Sequence, residues 1–261
     1  MNELLNVFSP NRTLSRQTTL LLISVQTAAF LLLWAFSPFV FLPSLSETLG
    51  SFSDLWFAGL GPELATSFLL NVQGILLASL ISLVMAYSTA VPFFRPIIAM
   101  VSKLRFLSLV GLTFFFTLAS KNGHELKLYL LVFSVTVFFV TSMADVLISV
   151  PKEQYDLART LRMSEWRVVW EVIILGQADK VFDVLRQNAA MSWMVLSMVE
   201  GMSRSEGGIG AMLLDQNKHF HLSAVLAIQS TILLVGLGQD YAIGLAKKLF
   251  CPYAELGMER K

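Results

Sequence analysis

The chain alternates between long stretches without a single charge and short links that are rich in it. Charge is missing from residues 17–46, 64–94, 106–120, 128–144 and 222–239. A helix needs roughly 20 mostly apolar residues to cross the hydrocarbon of a bilayer, so the first, second, fourth and last of these runs are long enough. The run at 106–120 is short. A further segment, 181–202, carries Asp183, Arg186 and Glu200 near its ends, where a long side chain reaches the interface and an acid can face a bundle interior. With both included, the pattern predicts an all-α fold: a polytopic transmembrane helix bundle of about six spanning helices.

Breakers divide the runs. Phe41-Leu42-Pro43-Ser44 and Gly59-Leu60-Gly61-Pro62 read as turns within a first outer loop at 42–63. A long helix is expected over about 63–91, stopped by Pro92 and Pro96. Lys121-Asn122-Gly123-His124 closes a short hairpin, and Pro151 ends the fourth helix by biasing Val150 out of the helical region. No fixed-period repeat interrupts the chain, so 1–261 reads as one transmembrane domain: a tail and first helix at 1–41, a core at 63–249, and a loop at 151–180.

Composition agrees with the pattern and adds an orientation. The mean hydropathy is +0.67, with 55% hydrophobic and 14% charged residues, far below the roughly 25% charge of soluble domains. With the amino terminus in the cytoplasm, only Lys121, Lys127, Arg204 and Lys218 of the 19 basic residues fall outside. The others, from Arg12 and Arg95 to Arg260 and Lys261, fall inside. That is the positive-inside pattern, and it places both termini in the cytoplasm. A net charge of +1, divided among loops, gives no footprint for a nucleic acid. The apolar run at 20–36 exceeds the length of a secretion-signal core and is expected to stay as an anchor. One cysteine, Cys251, excludes an intrachain disulfide. His219, His221 and His124 lack the spacing of a metal site, so no metal is expected.

The segment VPKEQYDLARTLRMSEWRVVWEVIIL, 150–175, differs from everything around it. Leu157, Leu161, Ser164 and Val168 recur at helical spacing, with Glu153, Asp156, Arg159 and Arg162 on the remaining surface. An interfacial helix lying on the membrane is one reading. A face of mixed charge suits a protein groove better than anionic lipid, with Trp166, Trp170, Val168 and Val169 anchoring the segment at the bilayer surface.

This segment resembles the EAA loop of the membrane-spanning subunits of bacterial binding-protein-dependent ABC importers, in the branch of nitrate, taurine and alkanesulfonate permeases. Asp156-Leu157-Ala158 stands at the triplet, Ala158-Arg159-Thr160-Leu161 and Ser164-x-Trp166 match the following run, and Val172-Ile173-Ile174 matches the exit. Leu42-Pro43-Ser44, Leu185-Arg186 with Trp193, Glu200, and Gly208-Ile209-Gly210 also resemble family positions. The similarity departs where Arg162 replaces a turn glycine and Leu175 replaces a proline. Arginine adopts a glycine's backbone angles only at a cost, so the loop either turns under strain or runs on as one helix.

The resemblance implies a coupling helix at 153–166 between the fourth and fifth spans, seated in a separate ATPase dimer at the cytoplasmic face of the bacterial inner membrane. Asp156 and Arg159 would make charge contacts, Leu157, Ala158 and Leu161 would pack, Trp166 would hold the helix to the bundle, and Arg162 belongs to the same coupling segment. It implies further an extracytoplasmic substrate-binding protein, a second permease copy in a homodimer, and a small solute such as nitrate, a sulfonate or taurine. Vitamin-precursor transport, or a scaffold without transport activity, are the alternatives. This chain has no Gly-x4-Gly-Lys-Ser/Thr loop, so ATP and magnesium belong to the partner and the chain is not itself an enzyme. Asn188, Ser192, Trp193, Ser197 and Glu200 are candidates to line a path; small polar residues there also serve as helix-packing contacts.

Overall fold

The computed structural model describes residues 15–36, 42–203 and 206–253. Arg12, Phe41, Arg204, Arg260 and Lys261, which enter the charge and turn patterns, lie outside the described residues. Among the described residues every regular element is a helix. In chain order they are α1 (Arg16–Ala35), α2 (Leu45–Leu55), α3 (Gly61–Ser88), α4 (Arg95–Lys103), α5 (Leu109–Ala119), α6 (Gly123–Ile148), α7 (Lys152–Thr160), α8 (Glu165–Val168), α9 (Ala178–Met202), α10 (Ile209–Lys218) and α11 (Leu222–Phe250).

Local chemistry sets the boundaries. Ser44 and Glu47 form a capping box at the start of α2, the Ser44 amide donating to Glu47 Oε2 at 2.9 Å. Asn122 caps α6 by accepting from the Glu125 amide at 2.8 Å. Pro62 sits in the first turn of α3, where its missing N–H is no loss. The first outer loop is thus more ordered than its breakers predict. Its cap and apolar residues build α2 against α11, and only Gly59, at φ +108°, breaks the path into α3.

Among the described residues four segments are long and apolar enough to cross a membrane: Gln17–Ala35, Leu45–Ser88, Gly123–Ile148 and Leu222–Phe250. A fifth arises if Pro92–Phe106 and Leu109–Ala119, bent by 111°, count as one broken span. The expected third crossing is therefore α5 alone, an 11-residue helix only about 16 Å long. The fifth expected crossing, α9, is 25 residues long, about 37 Å, and fails only on polarity. Its neighbours resolve that conflict, because α9 packs against α3, α6, α10 and α11.

Side-chain contacts give the register. Along α9, Asp183, Arg186 and Trp193 meet Lys247, Asp240 and Gln239 of α11, so the two helices run antiparallel. Ser192 and Glu200 meet Asn71 and Ser67 of α3, again antiparallel. Gly74 of α3 lies directly under the Leu131 side chain of α6, where a Cβ would approach Leu131 Cδ2 to 2.5 Å. That close approach of small residue and leucine brings the two backbones together. Leu130, Leu131, Phe139, Val140, Met143, Leu196 and Ile228 form the fully buried interior. The bundle has two distinct ends, one carrying α7 and the other α10. By contrast, none of the apolar window of α1 is buried within the chain.

Candidate functional site

At one end of the bundle, α7 begins directly after Pro151, which is extended at φ −63° and ψ 142°. It ends in a tight reversal. The Met163 amide donates to the Ala158 carbonyl at 3.2 Å, and the Arg162 amide to the Arg159 carbonyl at 2.9 Å. Arg162 itself is left-handed, at φ 53°. These two bonds around a left-handed residue are a Schellman motif, with Arg162 at the position that ordinarily takes glycine. The loop therefore turns rather than running on as one helix. Ser164, extended at ψ 152°, starts α8, and wide π-type turns over Val169–Leu175 carry the chain to α9.

The turn splits the predicted stripe. Ala158 and Val168 are buried, whereas Leu157 and Leu161 are each 63% exposed. Trp166 is 72% exposed and Trp170 is also exposed, so Trp166 does not hold α7 to the bundle as expected; the buried side chains there are Ala158 and Val168. Asp156, Arg159 and Glu165 remain solvated, with Arg159 Nε donating to Glu165 Oε1 at 3.2 Å across the turn. That hydrogen bond, aided by the charge on Glu165, raises the Arg159 pKa above its ordinary value. A cleft of about 410 Å³, lined by Tyr155, Ile173, Arg95, Ile98 and Leu147, separates α7 from α4 and the end of α6. The result is a short helix presenting two bare leucines among mixed charges, a surface suited to a partner's groove.

The candidates on α9 fall into different roles. Ser192 Oγ donates to Asn71 Oδ1 at 2.6 Å, and Asn71 Nδ2 to Gln239 Oε1 at 3.0 Å. Trp193 Nε1 donates to the same Gln239 oxygen at 2.8 Å. Asn188 donates to the Val184 carbonyl at 2.8 Å, and its own side-chain oxygen is buried without a partner. Asn188 and Ser192 are thus packing contacts inside the chain, and only Trp193 and Ser197 border open space. Gln229, Gly236 and Asp240 on α11 border it too. Arg186, expected to reach the interface, instead forks onto Asp240, at 2.8 Å from Nε and 2.5 Å from NH2. The spacing of Gly236, Asp240 and Gly244, one turn apart on a single face, is the sequence signal that marks this seam.

Glu200, a candidate to line a path, is instead enclosed by hydrogen-bonding neighbours. It is 1% exposed, accepting from Ser67 Oγ at 2.6 Å and from the Gly210 amide at 2.8 Å. Ser67 in turn accepts from the Ile209 amide at 2.8 Å. Glu63 accepts from the Gly208 amide, and the buried Lys127 donates to the Gly207 carbonyl at 2.7 Å. The 207–210 loop is therefore pinned over the α10 end. Gly207 and Gly208 hold φ +65° and +106°, and a side chain on either would strike Glu63 or Glu200. Among the described residues no group of three or more His, Cys, Asp or Glu could hold a metal. His219 faces the Asp215 carbonyl at 2.9 Å instead.

No family model matches the chain. It is similar to the bicarbonate transport system permease protein CmpB of Synechocystis sp., 24% identical over 126 residues, which cover 46% of this chain and 45% of that protein. The protein of that name from Synechococcus elongatus is 25% identical over 114 residues, 41% of each chain. The chain thus spans less than half the length of the curated relatives it matches. With several apolar helices long enough to span and a charged helical turn between α6 and α9, this multi-pass membrane chain resembles the permease subunits of bacterial binding-protein-dependent ABC importers.

Proposed function

We propose that this chain is the membrane-spanning permease subunit of an ATP-driven importer, with α7 as the lever through which a separate ATPase moves the bundle. One observation carries the proposal: α7 offers exposed Leu157 and Leu161, flanked by Asp156, Arg159 and Arg162, at the turn where the loop pattern resembles an ATPase-docking helix. Two solvent-facing leucines on a short polar helix have no role inside this chain. ATP closes the nucleotide-binding pair, the groove shifts α7, and the rigid helices α6 and α9 on either side transmit the tilt. The chain itself is the non-catalytic subunit, and ATP and magnesium are held by the partner.

The relatives carry bicarbonate in their names. That solute replaces the expectation of nitrate, a sulfonate or taurine, and a small anion of the bicarbonate class is the substrate this reading assigns. A binding protein docks at the α10 end, outside the cell, and a second permease copy closes the path. The chain lies in the bacterial inner membrane with α7 in the cytoplasm, following the positive-inside pattern.

The test is Leu157→Asp with Leu161→Asp. Both side chains point away from this chain, so insertion and thermal unfolding should stay within about 0.5 kcal/mol of the parent. Co-purification of the ATPase subunit and ATP-driven uptake in vesicles should both be lost. Undiminished uptake by the double variant would remove α7 as the lever.

A further inference from the structure

Two clefts line one face of the α9–α11 seam. One, of about 570 Å³, runs past Trp193, Gly236 and Leu237 to Asp240; the other, of about 380 Å³, runs past Gly210, Leu214 and Asn217 below α10. Both are bordered by Ser197 and Gln229, so together they form one groove from the α10 end to the Arg186–Asp240 pair. That pair lies well inside the helices. Arg186 is about 12 Å along α9 from its start, and Asp240 about 15 Å along α11 from its end, at 1.5 Å per residue.

The two side chains are 41% and 42% exposed on this face. Half-bare charges beside the uncharged run 222–239 are unfavourable against acyl chains, and a face turned to water or protein accommodates them. The pair also closes the groove's α7 end. Gly244 leaves the guanidinium room, a Cβ there meeting Arg186 Cζ at 3.9 Å, and Asp240 borders the groove itself.

On these observations, and resting on the small-anion reading above, we propose that Arg186 is the anion-receiving group of the path and Asp240 its built-in competitor. A guanidinium fork recognises two oxygens of a planar carboxylate. Bicarbonate presents the same pair of oxygens on a planar carbon, so it can replace the Asp240 carboxylate on the same two donors. The resting pair keeps Arg186 neutralised. An anion descending from Ser197 and Gln229 takes the fork, Asp240 swings aside, and re-pairing releases the anion towards the α7 end. No bond is made or broken, and the step is an exchange of one carboxylate for another.

The experiment uses the complete transporter, with its ATPase and binding protein, in proteoliposomes supplied with radiolabelled bicarbonate at alkaline pH. Asp240→Asn removes the competitor, and KM for bicarbonate should fall by about tenfold; a pair with a purely structural role would leave KM unchanged or raise it. Replacing both members with apolar residues, Arg186→Met with Asp240→Leu, preserves packing without a stranded charge. That variant should insert but lose uptake by about 100-fold or more. Uptake by the apolar double variant with KM within about twofold of the parent would overturn the proposal while leaving the permease reading intact. Should the double variant fail to insert, the direction of the KM change in Asp240→Asn decides alone. A parent complex that couples ATP hydrolysis to some other solute and never moves bicarbonate would sink the small-anion reading, and this site with it.

Discussion

The two ends of the bundle treat charge in opposite ways. At the α10 end Glu200 and Lys127 are 1% and 3% exposed, and each finds its partner on another element or in the glycine loop. At the α7 end Asp156, Arg159 and Glu165 are solvated, and the one tight feature is a backbone turn held by a left-handed arginine. A buried network is tolerable only when every member is satisfied, which makes the α10 end a fixed lid. Solvated charges on a short helix carry no such constraint and stay available to a partner. The difference separates an end whose shape is held by buried partners from an end whose charges stay open to solvent.

The largest effect should come from crowding the lid. In Gly210→Val the new side chain would run into the Ser197 backbone, and the loop could not keep its bond to Glu200. A loss of about 3 kcal/mol or more is expected, read as a lowered unfolding temperature or failed insertion in detergent extracts. Next is Lys127→Met, which leaves the Gly207 carbonyl unpaired and removes the cation that acts on Glu200. That should cost about 2–3 kcal/mol in the same assay. If it proves neutral, the contrast between the ends is weaker than the geometry implies.

The α7 end should respond in the opposite direction. Arg162→Gly relieves the left-handed strain and should stabilise the loop by about 1 kcal/mol, visible as slower hydrogen exchange at the Arg162 and Met163 amides. Exchange that quickens would mean the arginine side chain contributes more than its backbone strain removes. Smallest of all is Arg159→Ala. Its pair with Glu165 is exposed on both sides, and solvent screens such pairs until they contribute little, so unfolding should hardly change. A clear loss of ATPase capture in that variant would then report on docking alone.

Much of this arrangement is legible along the chain. Pro151 and Val150 mark the end of α6, Asn122 with Glu125 marks its start, and the uncharged runs mark α1, α3, α6 and α11. These are local signals, set by caps, prolines and hydrophobic length. The α7 segment stands out for the same reason, being charged where its flanks are not. The order within 42–62 is harder to read, since Pro43, Gly59 and Gly61 outweigh one short capping box until α11 covers the helix. The exposure of Leu157 and Trp166 is equally illegible, because periodicity presumes a continuous helix and Arg162 breaks it.

The sequence by itself determined that several segments prefer the membrane, where the long uncharged helices lie, and which loop carries mixed charge. Each of those depends on residues within a few positions of one another. Only the tertiary structure decided that α9 can sit among apolar helices, for its charges are neutralised by Asp240 and Lys247, by Ser67, and by the amide of Gly210 in a loop folded back over it. Whether a charge is tolerable in the bundle depends on what faces it across a helix seam, and that neighbour can lie more than a hundred residues away, as Ser67 does from Glu200.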